Sequence, residues 1–557
     1  MDESLRAAVA AWRADDPDPV TVAELDALVA AGDEAGLRER FGARLEFGTA
    51  GLRGPLGAGP NRMNRAVVRR TAAALCRWLD AHGWDGPVVV GRDARHGSEA
   101  FAADTAAVVA GAGRPVVLAD GPLPTPVLAF AVRHLGAAAG VMVTASHNPS
   151  ADNGYKVYAG DGAQIVPPWD GEIAAHIERI GRVAGLPLAP ADDPLVSALA
   201  PAVADAYVAG VAGLRVADVR VDLRVAYTPM HGVGLDVLRR AFERAGLPAP
   251  AVVEAQAAPD PDFPTVAFPN PEEPGAMDRL LALAEEIGAD VAVANDPDAD
   301  RLALAVPAPR AGVDGWRVLT GDELGLLLAD HLLRHTSGAD RLLVATVVSS
   351  SALAALAAAH GVAFVETLTG FKWLARAAMA RPDLRPLLGY EEALGFSVGD
   401  LVRDKDGIGA AVVAVEAVAA LVASRSSVAQ RLAELAVEVG LHRTRQRSIR
   451  FEGLDGAARM AVAVDAIRAV PPTRLGGIAI DVVEDLALGE RLPPTDAVVL
   501  RGEGLRVVVR PSGTEPKLKL YVEVVRPVAS VADVGAATDA ADEVIEAVLA
   551  DLTARLG

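Results

Sequence analysis

Short apolar runs alternate with longer Ala-, Leu- and Glu-rich stretches through most of this chain. Runs at 87–90, 115–118, 140–145, 221–226, 291–294, 342–347 and 363–366 have the length of buried strands, and helical spacing fills the intervals. Alternation of this kind predicts α/β layers on mostly parallel sheets. From about residue 448 the pattern changes: 505–510 and 517–525 alternate as paired strands and 531–556 has helical spacing, which predicts a smaller α+β domain. A Pro/Ala-rich stretch at 186–201 is expected to be a linker, and a Pro-rich stretch at 247–274 a long ordered loop. With 557 residues the chain exceeds what one core can serve, and roughly three to five domains are expected.

Several strand ends carry residues suited to chemistry. The run at 140–145 leads into TASHNPSADNGYKVY, which places Ser146 on a loop at the carboxyl end of a strand. Open α/β sheets hold their chemistry there, although Ser, Asn and Pro are also ordinary turn residues. His147 follows, and in an extended chain it points away from Ser146. The run at 289–294 leads into NDPDADR, where Asp296, Asp298 and Asp300 occupy alternate positions. In an extended chain they share one face, and converging carboxylates call for a hard cation such as Mg²⁺, Mn²⁺ or Ca²⁺. An EF-hand is excluded, because Arg301 and Pro307 stand where its Gly and Glu belong. A solvated acidic turn is the plain alternative.

In RPSGTEPKLKLYVE, Arg510 and Lys517 flank a Ser-Gly-Thr turn. Its N–H and hydroxyl groups suit a phosphate, and an ordinary hairpin reads the same way. In GYEEALGFSVGDLVRDKDG, Glu391 and Glu392 lie between glycines, with Arg403 and Lys405 beyond them. Paired acids can accept hydrogen bonds from sugar hydroxyls, or form a solvated turn.

Net charge narrows the choice. At −20 it argues against nucleic acid, and its far field repels anionic substrates. An anion site must therefore be locally basic, and Arg53, Lys156, Arg301, Lys372, Arg403, Lys405, Arg510 and Lys517 all fall within these segments. The single cysteine, Cys76, cannot form an intramolecular disulfide and lies on a packed helix-like face. The acidic N-terminus lacks a signal-peptide pattern, and the apolar runs at 342–359 and 409–423 are broken by serines and by Glu416. A soluble, cytoplasmic protein without a membrane or nucleic-acid partner is expected. GxxxxGK[ST], GxGxxG, HExxH and, around Ser146, GxSxG are absent.

TASHNP, DPDADR and RPSGTEP, in this order and with FGTAGLRG at 47–54 and TLTGFKW at 367–373, resemble the α-D-phosphohexomutase superfamily over residues 41–521. FGTAGLRG, DNGYKVY and GFKW are closest to its phosphoglucomutase and phosphopentomutase branch. The resemblance implies an α/β protein of four domains around a central cleft, three of them similar with mixed, mostly parallel sheets and the last α+β. They would span 1–205 with a phosphoserine loop, 206–320 with a metal loop, 321–445 with a sugar loop and 446–557 with a phosphate loop.

The implied activity is interconversion of glucose 1-phosphate and glucose 6-phosphate through phosphorylated Ser146 and a sugar bisphosphate. Pentose and mannose phosphates are the alternative substrates, since Ala393 stands where glucose-specific relatives commonly carry serine. The resemblance further implies Mg²⁺ on Asp296, Asp298, Asp300 and the phosphate of Ser146, and a sugar 1,6-bisphosphate as activator. Arg53, Lys156 and Lys405 become acid–base groups, with the Lys156 proton loosened by neighbouring cations. His147, Arg301, Thr369, Gly370, Lys372, Glu391, Glu392 and Arg403 would contact the sugar phosphate. Arg510, Ser512, Gly513, Thr514 and Lys517 would hold its distal phosphate, on a domain hinged near 441–451. Small sugar phosphates are the expected partners, with no obligate protein partner; a metal-dependent phosphatase is the competing function.

Overall fold

A computed structural model describes residues 1–48, 51–308, 315–451, 456–512 and 517–556. It divides into two compact units. One comprises Met1–Arg215, Asp222–Pro307 and Gly395–Val413; the other comprises Val216–Val221, Ala308–Leu394 and Ala414–Gly557.

The first unit is built on a six-stranded sheet. Its strands run in the order Leu52–Pro55, Asp152–Ala159, Ala139–Val143, Val88–Arg92, Val116–Leu118 and Val196–Ala198. The last four pair in parallel, while Asp152–Ala159 is antiparallel to both of its neighbours. Ala139–Val143 is buried along its whole length, as its unbroken apolar run requires of a strand covered on both faces. Helix Arg65–Ala81 packs Leu75, Trp78 and Leu79 into the same core as Val90, Val141 and Tyr155. Cys76 is buried there, and burial pushes its thiol up to about 12.

The expected linker at 186–201 is instead tied to this sheet. Val196–Ala198 forms its edge strand, and the Ala189 N–H donates to the Ala107 carbonyl at 2.9 Å. Leu195 and Val196 supply the apolar contact that holds this Pro-rich segment against the core. A second sheet carries, in order, Ala303–Pro307, Val291–Ala294, Val225–Thr228 and Ala251–Val252. Three helices precede all of this: Glu3–Arg13, Pro19–Ala31 and Glu34–Phe41. Each is opened by an aspartate cap, Asp2, Asp18 and Asp33, so part of the N-terminal acidity is capping.

In the second unit, Ala363–Thr367, Arg341–Thr346 and Arg385–Glu391 run in parallel. A five-stranded antiparallel sheet follows, in the order Leu441–Arg450, Lys517–Arg526, Leu505–Pro511, Val498–Gly502 and Val482–Asp485. Helix Val534–Leu556 buries Ile545, Val548, Leu549 and Leu552 against one face. On the other face, Val499, Val508 and Tyr521 share a cluster with Val347 and Val348.

Buried Glu523 ties the same seam together. It accepts from the Ser350 hydroxyl (2.8 Å) and the Ser351 N–H (2.7 Å), and pairs with Arg506 (2.9 Å). The terminal domain, expected to hinge near 441–451, thus shares a core and a buried ion pair with its neighbour. Among the described residues no single helix is long and apolar enough to cross a membrane.

Candidate active site

Ser146 follows the central strand Ala139–Val143 by three residues, on a loop at its carboxyl end. It is buried and adopts φ 53°, a left-handed backbone that costs roughly 1–2 kcal/mol for a residue with a Cβ. The Ser146 N–H donates to Thr144 Oγ1 (2.8 Å), and its hydroxyl donates to Asp296 Oδ2 (2.7 Å). The left-handed turn also corrects the expectation for His147. The chain is not extended here, and His147 Nδ1 lies 3.1 Å from Ser146 Oγ. Burial, with Arg301 and Arg53 nearby, holds the His147 pKa well below its usual value, so the imidazole is neutral.

The three aspartates converge as expected, although not because the chain is extended. Residues after strand Val291–Ala294 form a turn closed by Ala299 N–H to Asp296 carbonyl (2.9 Å), with Ala299 at φ 56°. One ligand oxygen from each carboxylate lies within 4.8 Å of the others, and all three residues are buried. Lys156 Nζ donates to Asp298 Oδ2 and Asp300 Oδ2, both at 2.8 Å, and Lys405 Nζ lies 3.2 Å from Asp300 Oδ2. Thr125 adds a hydroxyl donor to Asp298 Oδ2 (2.6 Å).

Asp298 Oδ1 and Asp300 Oδ1 are buried without a hydrogen-bond partner. An all-oxygen donor set with two orphaned carboxylate oxygens fits a hard divalent cation, so this group can hold a metal. Burial and the charges of Asp298 and Asp300 push the Asp296 carboxyl well above the usual range. For Asp300, burial opposes ionisation, but Lys156, Lys405 and Arg301 outweigh it and hold the carboxyl below that range.

Lys156 departs from expectation. Burial favours loss of its proton, yet Asp298 and Asp300 outweigh burial, and its pKa is raised rather than lowered. Carboxylates, not cations, are its direct neighbours.

Other expected residues are distributed as follows. In the first unit, Arg53 donates to Asn148 Oδ1 (2.9 Å) in the serine loop, and Arg301 pairs with Glu272 at 3.2 Å. Arg403 is tied to Asp400 (2.9 Å) and to the Asp161 carbonyl (3.2 Å), whereas Lys405 reaches the aspartate group. In the second unit, Gly370 at φ 112° presents its N–H to Glu391 Oε1 (2.7 Å), a backbone conformation that favours glycine. Glu392 accepts from the Ser349 hydroxyl (3.1 Å); burial, Glu391 and Asp322 push its carboxyl up to about 7. Thr369 and buried Lys372 flank Gly370. Arg510 and Ser512 close one strand, with the Ser512 N–H donating to the Lys517 carbonyl (2.8 Å), and Lys517 opens the next. Gly513 and Thr514 lie outside the described residues.

Sequence reasoning missed Thr125, Asp404, Asp93 and Arg95. Asp404 accepts from Tyr158 and Gln164, both at 2.7 Å, and holds Lys405 Nζ at 3.2 Å. For Asp93 and Arg95 a signal existed: GRDARHGS places charged residues directly after the buried strand Val88–Arg92.

Comparison with known proteins identifies the class. The chain matches the phosphoglucomutase/phosphomannomutase alpha/beta/alpha domains I, II and III over residues 44–183, 205–310 and 320–438, and the C-terminal domain over 450–541. It is 42% identical to a probable phosphomannomutase of Haemophilus influenzae, over 83% of this chain and 93% of that one. It is 35% identical to the phosphopentomutase of Mus musculus, over 95% and 91%. A solved structure, a putative phosphomannomutase from Thermus thermophilus, superposes with a TM-score of 0.66 at 28% identity, over 87% of this chain and 96% of that one. This chain belongs to the phosphoglucomutase/phosphomannomutase family. It is a phosphomutase, an isomerase that transfers phosphate intramolecularly.

Proposed function

We propose that this enzyme interconverts glucose 1-phosphate and glucose 6-phosphate, with Ser146 carrying the transferred phosphate. The observation that carries this reading is the Ser146 hydroxyl, 2.7 Å from Asp296 Oδ2 within the three-carboxylate group. In the active form Ser146 bears a phosphoryl group that passes to the free hydroxyl of a sugar monophosphate. The serine–oxygen bond to phosphorus breaks, the sugar oxygen bonds to phosphorus, and the sugar hydroxyl proton ends on the Ser146 oxygen. The bisphosphate then returns its other phosphate to Ser146. Mg²⁺ held by Asp296, Asp298 and Asp300 would neutralise charge on the transferring phosphoryl group.

Lys156 lies against this group with its proton held tightly, which suits it to neutralise phosphate oxygens rather than to exchange a proton with the sugar. Arg53, beside the serine loop, suits the same anion. Glu391 and Glu392 form a pair able to accept from vicinal sugar hydroxyls, while Arg510, Ser512, Gly513, Thr514 and Lys517 are proposed to hold the second phosphate. A hexose 1,6-bisphosphate would prime the serine.

A second reading, pentose 1-phosphate to 5-phosphate, is favoured by Ala393, which lacks a hydroxyl, and by the mouse relative's match to nearly the whole chain. Both readings are tested by measuring kcat/KM on glucose, mannose, N-acetylglucosamine, ribose and deoxyribose 1-phosphates, each with its bisphosphate. A pentose preference above about tenfold overturns the glucose assignment. Ser146→Ala should abolish turnover on every sugar while sugar-phosphate binding persists; retained turnover in this variant overturns the mutase scheme.

A further inference from the structure

Behind the Ser146 loop lies a guanidinium buried in protein. Arg95 is 4% exposed, and its side chain runs under residues 146–152. Its Nη2 donates to the carbonyls of Ser146 (2.5 Å) and Asn148 (2.6 Å). Its Nη1 donates to the carbonyls of Pro149 (2.7 Å) and Asp152 (3.2 Å). Nε faces Asp93 Oδ2 at 3.4 Å, and the guanidinium lies over the Phe263 ring, 4.9 Å from its centroid. Asp93 is held in turn by the Ser98 hydroxyl (2.6 Å) and the Arg95 N–H (3.0 Å).

Four carbonyl oxygens of one loop therefore converge on one cation. Their dipoles repel unless a group with several donors sits between them, and buried carbonyls must be satisfied. Only a planar fork can serve four at once; a lysine ammonium has three donors on a point charge. One of the four belongs to Ser146, the residue held in the left-handed region. The contact thus acts on the dihedral angles that aim Oγ at Asp296, and it does so from outside the group that touches phosphate.

We propose that Arg95 is a positioning residue: by gathering the carbonyls of Ser146, Asn148, Pro149 and Asp152, it fixes the backbone from which Ser146 Oγ attacks and leaves. The inference rests on the reading of Ser146 as phosphate carrier. In the step it governs, Ser146 Oγ bonds to phosphorus of a sugar bisphosphate, the sugar oxygen–phosphorus bond breaks, and the serine proton ends on the sugar oxygen.

The test uses full-length Arg95→Lys enzyme, dephosphorylated and mixed with glucose 1,6-bisphosphate and Mg²⁺, with phosphoenzyme followed by rapid quench and intact mass. Rates are referred to the folded fraction measured by circular dichroism. Misplacement of a reacting atom on this scale should slow phosphorylation of Ser146, and kcat with it, by about 100-fold. KM for glucose 1-phosphate should stay within about threefold, because the residues that bind sugar are untouched. Asp93→Asn keeps the guanidinium and its carbonyls but loosens its anchor, and should give a smaller loss of kcat with KM again unchanged. This second variant decides the matter if Arg95→Lys does not fold.

Wild-type phosphorylation rates in the folded fraction of either variant overturn the inference and leave the mutase reading intact. A loss confined to KM overturns it as well. A wild-type enzyme that takes up no phosphate overturns the reading of Ser146 and the inference with it.

Discussion

Replacing Lys156 by Met tests the electrostatics of the aspartate group. Lys156 and both of its partners are essentially unexposed, and Nζ lies 2.8 Å from Asp298 and from Asp300. Removing one member of a buried ion pair leaves uncompensated charge and costs about 3–5 kcal/mol. Lys405, 3.2 Å from Asp300, compensates one carboxylate in part, which places the cost toward the lower figure. In a large domain that loss corresponds to a fall in Tm of roughly 5–15 °C. The methionine chain matches the aliphatic stem of lysine, so the effect reports charge rather than volume.

The cost should depend on metal. With Lys156 gone, the carboxylates carry more uncompensated charge and bind a divalent ion more tightly, so saturating Mg²⁺ recovers part of the loss. At 100 times its dissociation constant an ion stabilises the folded state by about 2.7 kcal/mol. The assay is thermal unfolding of wild type and Lys156→Met in EDTA and across a Mg²⁺ series. The gap should be widest in EDTA and narrow as Mg²⁺ rises, and kcat should fall far more than KM changes. Equal Tm values in EDTA, or a gap indifferent to Mg²⁺, would refute the reasoning.

Thr125→Val removes a hydroxyl donor from buried Asp298 and should weaken Mg²⁺ binding by about 10–100-fold, measured by calorimetric titration of the folded variant. Because the folded-state pKa of Glu392 is raised from 4.5 to about 7, the folded protein binds more protons than the unfolded chain between those values, and stability falls as pH rises through them. Glu392→Gln should remove that fall, so urea unfolding across this range should show a flatter profile in the variant. For Glu523, burial opposes charge, but Arg506 and His442 outweigh it and hold the carboxyl at about 2. Its stabilisation is present above its unfolded value and lost as pH falls toward about 2, and Glu523→Gln should destabilise the second unit at neutral pH by about 3–5 kcal/mol in the same unfolding assay.

Much of the fold was legible because buried parallel strands write continuous apolar runs. The segments ending at Ser146 and Asp296 were found by their position after such runs, and Glu391 by its pairing with Glu392 between glycines. What escaped were features set by single dihedral angles or by tertiary contacts. The positive φ of Ser146 turns His147 back toward Oγ, and that of Ala299 folds the aspartates together through a turn rather than along a strand. No local pattern announces either. The sign of the Lys156 shift followed from which charges lie nearest, and these come from residues more than a hundred positions away. The edge strand within 186–201 was hidden by its Pro and Ala content, since its place depends on pairing with Val116–Leu118. Arg95 was readable as a charge after a strand, but its four carbonyl partners were not.

The central claim is that Ser146 receives a phosphate and gives it back to sugar. Enzyme labelled on Ser146 with radioactive phosphate from glucose 1,6-bisphosphate, then chased with unlabelled glucose 1-phosphate, tests it directly. The label should leave the protein at the rate of turnover and appear in glucose bisphosphate and glucose 6-phosphate, with Ser146→Ala taking up none. Label that stays on the protein through many turnovers, or leaves as inorganic phosphate, would contradict a mutase and, in the second case, point to a phosphatase.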